Sequence, residues 1–393
     1  MKEKLKSIAA GAAMAALIAA MPAYSRNLPQ SATEPSLCSQ ALRSIDAAAA
    51  ATLAQGSPGM AIGVSHQGRV IFARGYGLAN LEHRARLTPD SPFLLASVTK
   101  QFTAAAILLL AEDGKVGLDD RLSRFVPELP QAGQVTIRQL LVQTSGIPDY
   151  AEDPAGSVTK AVPKSLADMI AWIGRLQPAE KFAPGTSWGY SNSNYVLLGA
   201  VVERASGSTL SEFFRQRLFL PAKLTSTELD DPRHVVPNRV QGYRRDPAAS
   251  SNFANADWIS PSIPGPAGGL RTTISDLLRW SEALHGGRII NSASLRMMTQ
   301  AGQLSDGRST KFGMPVEWQR GWNADYAMGL FITPIEGDTR IWHSGDVDGF
   351  STWLAHYPRH RLTIAMMVNS QSADMDKEAV ERAVFAGVSG RCS

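Results

Sequence analysis

After its first two dozen residues the 393-residue chain has no apolar run that could cross a membrane, for which about 20 consecutive apolar residues are needed. It also has no basic stripe. Lys and Arg are scattered, so a sequence pI near 9.1 describes a solvated surface and argues against a nucleic-acid partner. The formal charge of +4 falls to +2 once the three Lys and one Glu of residues 1–25 are set aside. Internal repeats and low-complexity segments are absent beyond an Ala-rich start. Cysteine is scarce: Cys38 and Cys392 allow one internal disulfide at most.

What is there suits an enzyme-sized globular protein. With 44% apolar residues, 33 Gly and 23 Pro, the chain can bury a full core as one large domain or two interlocked ones. Lys2, Lys4 and Lys6, an apolar run from Ile8 to Met21, and small residues at Ala23 and Ser25 follow the order of a secretory signal peptide. Residues 1–25 are therefore expected to be removed near Ser25, leaving a periplasmic or secreted protein with no stable membrane span. In such a compartment Cys38 and Cys392 are expected to pair, pinning the first mature helix to the last.

Residue patterns place a helix over Ser39–Gln55, then strands over Met60–Ser65 and Val70–Gly75 joined by a short Gly-containing hairpin turn. A helix apolar on nearly every face follows, ending at Glu112, and must be enclosed by other elements. Between Asp119 and Pro266 the better helix candidates are Thr136–Gln143, Ser165–Leu176, Asn192–Ser206 and Thr209–Leu218, with few strands. After the helix Thr273–Leu284, strand-like runs return at Tyr326–Ile332, Thr339–Trp342, Thr352–His356 and Thr363–Val368, and a helix Asp374–Val388 closes the chain. Strands at both ends with helices between predict an α/β protein of α+β type. A single antiparallel sheet is built from 36–96 plus 267–393 and flanked by the N- and C-terminal helices, with a mostly helical region inserted at 97–266. The active site is expected at the junction.

The most informative stretch is Ser97-Val98-Thr99-Lys100, where a polar turn becomes the buried helix. Residues three apart share a helix face, so the Lys100 amine lies beside the Ser97 hydroxyl, as an activating base must. Downstream come Tyr190-Ser191-Asn192 at a helix start and His343-Ser344-Gly345 in a strand-like segment. In this order the motifs resemble those of the serine β-lactamase and penicillin-binding protein superfamily, particularly its class C branch, where S-x-x-K, Y-x-N and K/H-x-G converge. Leu140-Leu141-Val142-Gln143-Thr144-Ser145-Gly146-Ile147-Pro148, Pro184-Gly185-Thr186 and Ala267-Gly268-Gly269-Leu270 also look like family segments in the expected order.

The resemblance implies a β-lactamase/transpeptidase-like fold and an acyl-enzyme on Ser97. Lys100 or Tyr190 is implied as the base; burial pushes Lys100 towards neutrality, and its residual charge favours a tyrosinate. Asn192 is implied to bind the substrate amide and to hold Lys100. Backbone N–H groups of Ser97 and Asp346 are implied as the oxyanion hole, and Gly345 as the place where substrate lies along the strand. His343 stands where β-lactam-hydrolysing relatives carry a lysine that attracts the substrate carboxylate. A largely neutral imidazole there weighs against efficient β-lactam hydrolysis. No metal or organic cofactor is required.

Three patterns are decoys. Ser157-Val158-Thr159-Lys160 repeats the S-x-x-K letters, but between Asp153-Pro154-Ala155-Gly156 and Pro163 it reads as a loop. Gly185-Thr186-Ser187-Trp188-Gly189 matches the G-x-S-x-G elbow without the strand that should precede it. His356 and His360 have metal-ligand spacing for a helix, but Pro358 lies between them, and both read as turn or surface residues. The function implied by the resemblance is an exported serine acyl-hydrolase acting on a small peptide, amide or ester, of D-amino-acid peptidase, carboxypeptidase or esterase type. A class C-like β-lactamase, or a penicillin-binding protein that acylates but turns over poorly, are the alternatives. Natural substrate, oligomeric state and any pocket role of Tyr195, Trp258 and Trp322 are not legible.

Overall fold

The computed structural model describes residues 37–53, 57–154, 160–315, 323–335, 337–371 and 376–389. These belong to one compact unit, Ser36–Ser393. The expected signal-peptide segment, Ser157, Trp322 and Cys392 lie outside the described residues, and with Cys392 the expected disulfide.

Seven antiparallel strands form the main sheet. From the N-terminal portion come β1 (Met60–His66) and β2 (Arg69–Tyr76). From the C-terminal portion come β3 (Asp325–Tyr326), β4 (Phe331–Ile335), β5 (Asp338–Val347), β6 (Phe350–Tyr357) and β7 (Leu362–Val368). The order β3-β4-β5-β6-β7-β1-β2 joins the two portions where β1 pairs with β7, Met60 opposite Val368. The first hairpin turns on Gln67 and Gly68 at φ 53° and 82°, the two left-handed residues that match the twist of the flanking strands.

Period-two alternation sends side chains to both faces. Met60, Ile62 and Val64 join Ile364, Met366 and Val368 under α1 (Ser39–Thr52), which contributes Ile45 and Ala49, and the C-terminal helix Lys377–Val388, which contributes Val380 and Val384. Those two helices touch so closely that a Cβ on Gly387 would stand 2.8 Å from that of Ala41. On the opposite face Ala61, Ala365 and Met367 belong to the larger cluster that holds the inserted helices. At its centre is α2 (Lys100–Glu112), whose side chains are buried from Lys100 through Leu110. Each buried Leu or Ile there contributes about 1.5–3 kcal/mol. Polar starts set the helices as read: Thr136 and Ser165 form capping boxes before Ile137–Leu141 and Leu166–Ile173, and Thr273 caps Ile274–His285.

Two expectations change. Tyr326–Ile332 is not one strand: it folds back on itself, Tyr326 pairing with Phe331 across a turn that holds Gly329 at φ +75°. A Cβ on Gly329 would meet the Lys100 carbonyl at 2.8 Å, so the turn is packed against the start of α2. The stretch Thr209–Leu218 is helical but irregular, Leu210–Phe214 passing into a π-helical turn at Arg215–Phe219. No helix among the described residues is long and apolar enough to cross a membrane.

Candidate active site

Ser97 sits in a 3-10 turn, Ala96–Thr99, that runs into α2. The residue before it, Ala96, is held at φ +49°, a left-handed conformation that costs a non-glycine residue about 1–3 kcal/mol and persists only where the surroundings over-determine it. Leu95 N–H donates to the Leu270 carbonyl at 2.7 Å, and the Thr352 hydroxyl donates to the Leu95 carbonyl at 2.9 Å, so both the Ala267–Leu270 segment and β6 clamp the turn.

The Lys100 amine donates to Ser97 Oγ at 3.0 Å, Asn192 Oδ1 at 2.7 Å and the Ala267 carbonyl at 2.8 Å. An ammonium has three protons, and all are used. Burial lowers its pKa from 10.5 to about 7, with the Asp149 carboxylate pulling the other way. The amide oxygen and the carbonyl can only accept, so when Lys100 loses a proton it is the Ser97 bond that changes direction. The lone pair then faces the serine hydroxyl.

Tyr190 lies in the same cluster: Lys100 Nζ stands 4.9 Å from its ring centre, and its hydroxyl hydrogen-bonds Ser97. Its phenol is pushed well above 10 by burial, then by Tyr326, and the Ser97 bond only partly opposes this. Of the two bases the resemblance leaves open, this disfavours a tyrosinate. Too little positive charge reaches the ring to offset its desolvation, so Tyr190 stays protonated.

Asn192 begins the helix Asn192–Ser206. Its Nδ2 donates to Asp149 Oδ2 at 2.9 Å, which orients the amide so that Oδ1 receives Lys100. Asp149, raised in pKa by burial, was missed in the sequence. Its signal was a lone carboxylate directly after the Gly146-Ile147-Pro148 segment. Gln143 was missed too: its carbonyl accepts from Gly189 N–H at 3.0 Å and its Oε1 from Ser191 N–H at 3.1 Å, holding the backbone on both sides of Tyr190.

The third motif lies on β5, whose pairing with β4 stops at Trp342, leaving 343–347 without a strand on that edge. The Ser97 turn packs against this stretch at Gly345. A Cβ on Gly345 would meet Ser97 N and the Leu95 carbonyl, both at 2.8 Å. Glycine is thus required by the approach of the Ser97 turn, rather than by a substrate alone. His343 is placed differently from expectation. It is buried among Tyr190, Tyr326 and Phe331 and does not border the cavity over Ser97. Its Nδ1–H donates to the Ser344 carbonyl, leaving Nε2 to face the Tyr326 hydroxyl at 3.4 Å. Burial and then Lys100 lower its pKa to about 3, so it carries no charge. Ser344 is half-buried beside it, and Asp346 is exposed on the cavity rim.

That cavity, ≈ 530 Å³, is bordered by Ser97, Asn192 and Asp346 of the expected set, with Tyr150, Trp172 and Ile263 as an apolar wall. Lys160 also borders it, its amine bonded to Asp348 at 2.7 Å and Asp257 at 3.2 Å. Trp258 borders a smaller neighbouring cavity, whereas Tyr195 is core, its hydroxyl donating to the Leu141 carbonyl at 2.8 Å. The decoys do not converge. Ser187 donates to the Gly313 carbonyl at 3.2 Å, and His360 bonds Asp338 at 2.7 Å. His356, expected at the surface, is buried in β6 and stacked on His285 with ring centres 3.9 Å apart.

The chain is 31% identical to penicillin-binding protein 4* of Bacillus subtilis (strain 168) over 80% of its own length and 69% of that protein. It is 28% identical to protein flp of Staphylococcus aureus (strain COL) over 81% of its length, spanning 61% of that protein. Among solved structures, a D-stereospecific amidohydrolase from Streptomyces sp. superposes with a TM-score of 0.73 at 27% identity, covering 88% of this chain and 98% of that one. Together with a family model described as Beta-lactamase that matches residues 42–388, these likenesses establish that the chain belongs to the β-lactamase family and is a serine hydrolase.

Proposed function

We propose that the protein is an exported acyl-hydrolase that forms an acyl-enzyme on Ser97 and acts on small amides, esters or short peptides of D-amino acids. The observation that carries this reading is the bonding of Lys100, whose two other partners can only accept, so that its neutral form turns a lone pair to Ser97 Oγ. The serine oxygen attacks the substrate carbonyl and its proton passes to Lys100. The tetrahedral oxyanion is held by the Ser97 backbone N–H at the head of α2 and the Asp346 backbone N–H on β5. Tyr190, neutral and bonded to Ser97, relays the proton from Lys100 to the leaving group. Water then cleaves the Ser97 ester by the same route in reverse. The substrate class is supported by the likeness to the D-stereospecific amidohydrolase and by the neutral, buried state of His343, which offers no cation to a carboxylate. Export rests on the basic-then-apolar order of residues 2–25, and a Cys38–Cys392 disulfide on the close packing of the two helices that bear these residues' neighbours.

The test is a substrate panel of nitrocefin, D-amino-acid amides and short-chain p-nitrophenyl esters, with intact-mass measurement after penicillin. Turnover of amides and esters above nitrocefin is expected, with any penicilloyl adduct vanishing over time. Rapid cephalosporin hydrolysis would make it a β-lactamase, and a stable adduct a penicillin-binding protein.

A further inference from the structure

The charges around the cavity are lopsided. Among the described residues, Glu152, Asp153, Asp346 and Asp348 border it, against a single basic residue, Lys160. Three of the four acids are already engaged: Asp348 by Lys160, Glu152 by Lys181, and Asp153 by the Trp172 ring nitrogen at 2.7 Å. Asp346 differs. Its Oδ1 accepts from the Ser351 hydroxyl at 2.6 Å, which fixes the carboxylate's direction, and no basic side chain among the described residues forms an ion pair with it. Lys377, which feels its charge, packs over the Trp353 ring instead. Asp346 is also one residue beyond Gly345, the point where β5 touches the Ser97 turn. An exposed, oriented carboxylate without a basic partner among the described residues therefore belongs to a residue that borders the same cavity as Ser97, and His343 provides no opposing charge. A substrate carboxylate arriving there meets repulsion, and a cation meets a partner.

We propose that the cavity selects acyl donors bearing a free primary ammonium group close to the scissile carbonyl, namely amides and esters of amino acids and short peptides with an unblocked amino terminus, and that the Asp346 carboxylate receives that group. This rests on the Ser97 acyl-enzyme reading above. Asp346 thereby has two separable functions, its backbone N–H towards the oxyanion and its side chain towards the amine.

The test compares kcat/KM for D-phenylalanine amide and N-acetyl-D-phenylalanine amide, with p-nitrophenyl acetate as an amine-free reporter. The free amide is expected to be preferred about tenfold or more, since a factor of ten needs only one modest charge contact. In Asp346→Asn that ratio falls about tenfold, chiefly through KM, and Asp346→Glu restores part of it. Taking a ratio within each variant cancels any general loss through the oxyanion hole. In the unaltered protein the preference also fades as pH rises past the substrate's amine pKa, about 8. Equal turnover of the blocked amide, a ratio unchanged in Asp346→Asn, or ester hydrolysis with no turnover of the free amide overturns the proposal. Ester hydrolysis that survives Ser97→Ala overturns the acyl-enzyme reading instead.

Discussion

Asn192 Oδ1 accepts a hydrogen bond from Lys100 Nζ at 2.7 Å while the other end of the same amide donates to Asp149. One side chain thus couples the amine to a carboxylate that never touches it. In the proposed reaction Lys100 must be neutral to take the serine proton, so kcat/KM for p-nitrophenyl acetate is expected to rise with pH through about 7. The negative charge of Asp149 holds the proton on Lys100, so Asp149→Asn shifts this acid limb to lower pH. A limb that stays put or moves upward would separate Asp149 from the titration of Lys100.

Removing the Ser97 hydroxyl should be decisive. Ser97→Ala is expected to lower kcat by roughly 10⁴-fold or more, and Lys100→Ala by a comparable factor, because the pair acts as a unit. Tyr190→Phe should cost roughly 10²–10³-fold, the range for lost proton transfer. Ser187→Ala and Ser157→Ala should keep most of the activity. Circular dichroism establishes that each variant folds, and steady-state ester hydrolysis ranks them.

Gly345→Ala tests how the two halves meet. The added methyl would stand 2.5 Å from Thr352 Oγ1 and 2.8 Å from Ser97 N, so either β5 or the Ser97 turn must move. A displacement near 1 Å is enough to cost about 100-fold in rate. The expected result is a kcat loss of that order with a smaller change in thermal midpoint. An active variant would mean that the contact yields elsewhere.

Acid should destabilise the fold through the stacked pair His285 and His356. Burial lowers His356 to about 4 and holds the stacked His285 well below 6.5, whereas both titrate near 6.5 when unfolded. Between those values the unfolded chain binds more protons, so stability is lost as pH falls from about 6.5 towards 4. Thermal midpoints over this range should show a shallower slope in His285→Phe, which keeps a ring against His356 but removes one titrating group.

Much of the architecture was legible because burial imprints a period. Alternating Met60, Ile62 and Val64, the wholly apolar α2 and the polar caps at Thr136, Ser165 and Thr273 each follow from local chemistry. Tyr326–Ile332 was misread because an apolar run says nothing about a reversal at Gly329, which is decided by packing against Lys100. His343 and His356 were placed at a pocket and a surface because a single imidazole in a strand has no period to betray its burial. Asp149 and Gln143 went unnoticed since their partners, Asn192 and Ser191, are more than forty positions away.

By itself the chain's order of residues determined that a serine hydroxyl and an amine stand together, because three-residue spacing at a helix start puts Ser97 and Lys100 on one face whatever surrounds them. Tertiary structure decided their protonation. Closing Asn192, Ala267 and Tyr190 over Lys100 removes water from the amine, and desolvation, which no local sequence encodes, is what brings it near neutrality and keeps the phenol protonated.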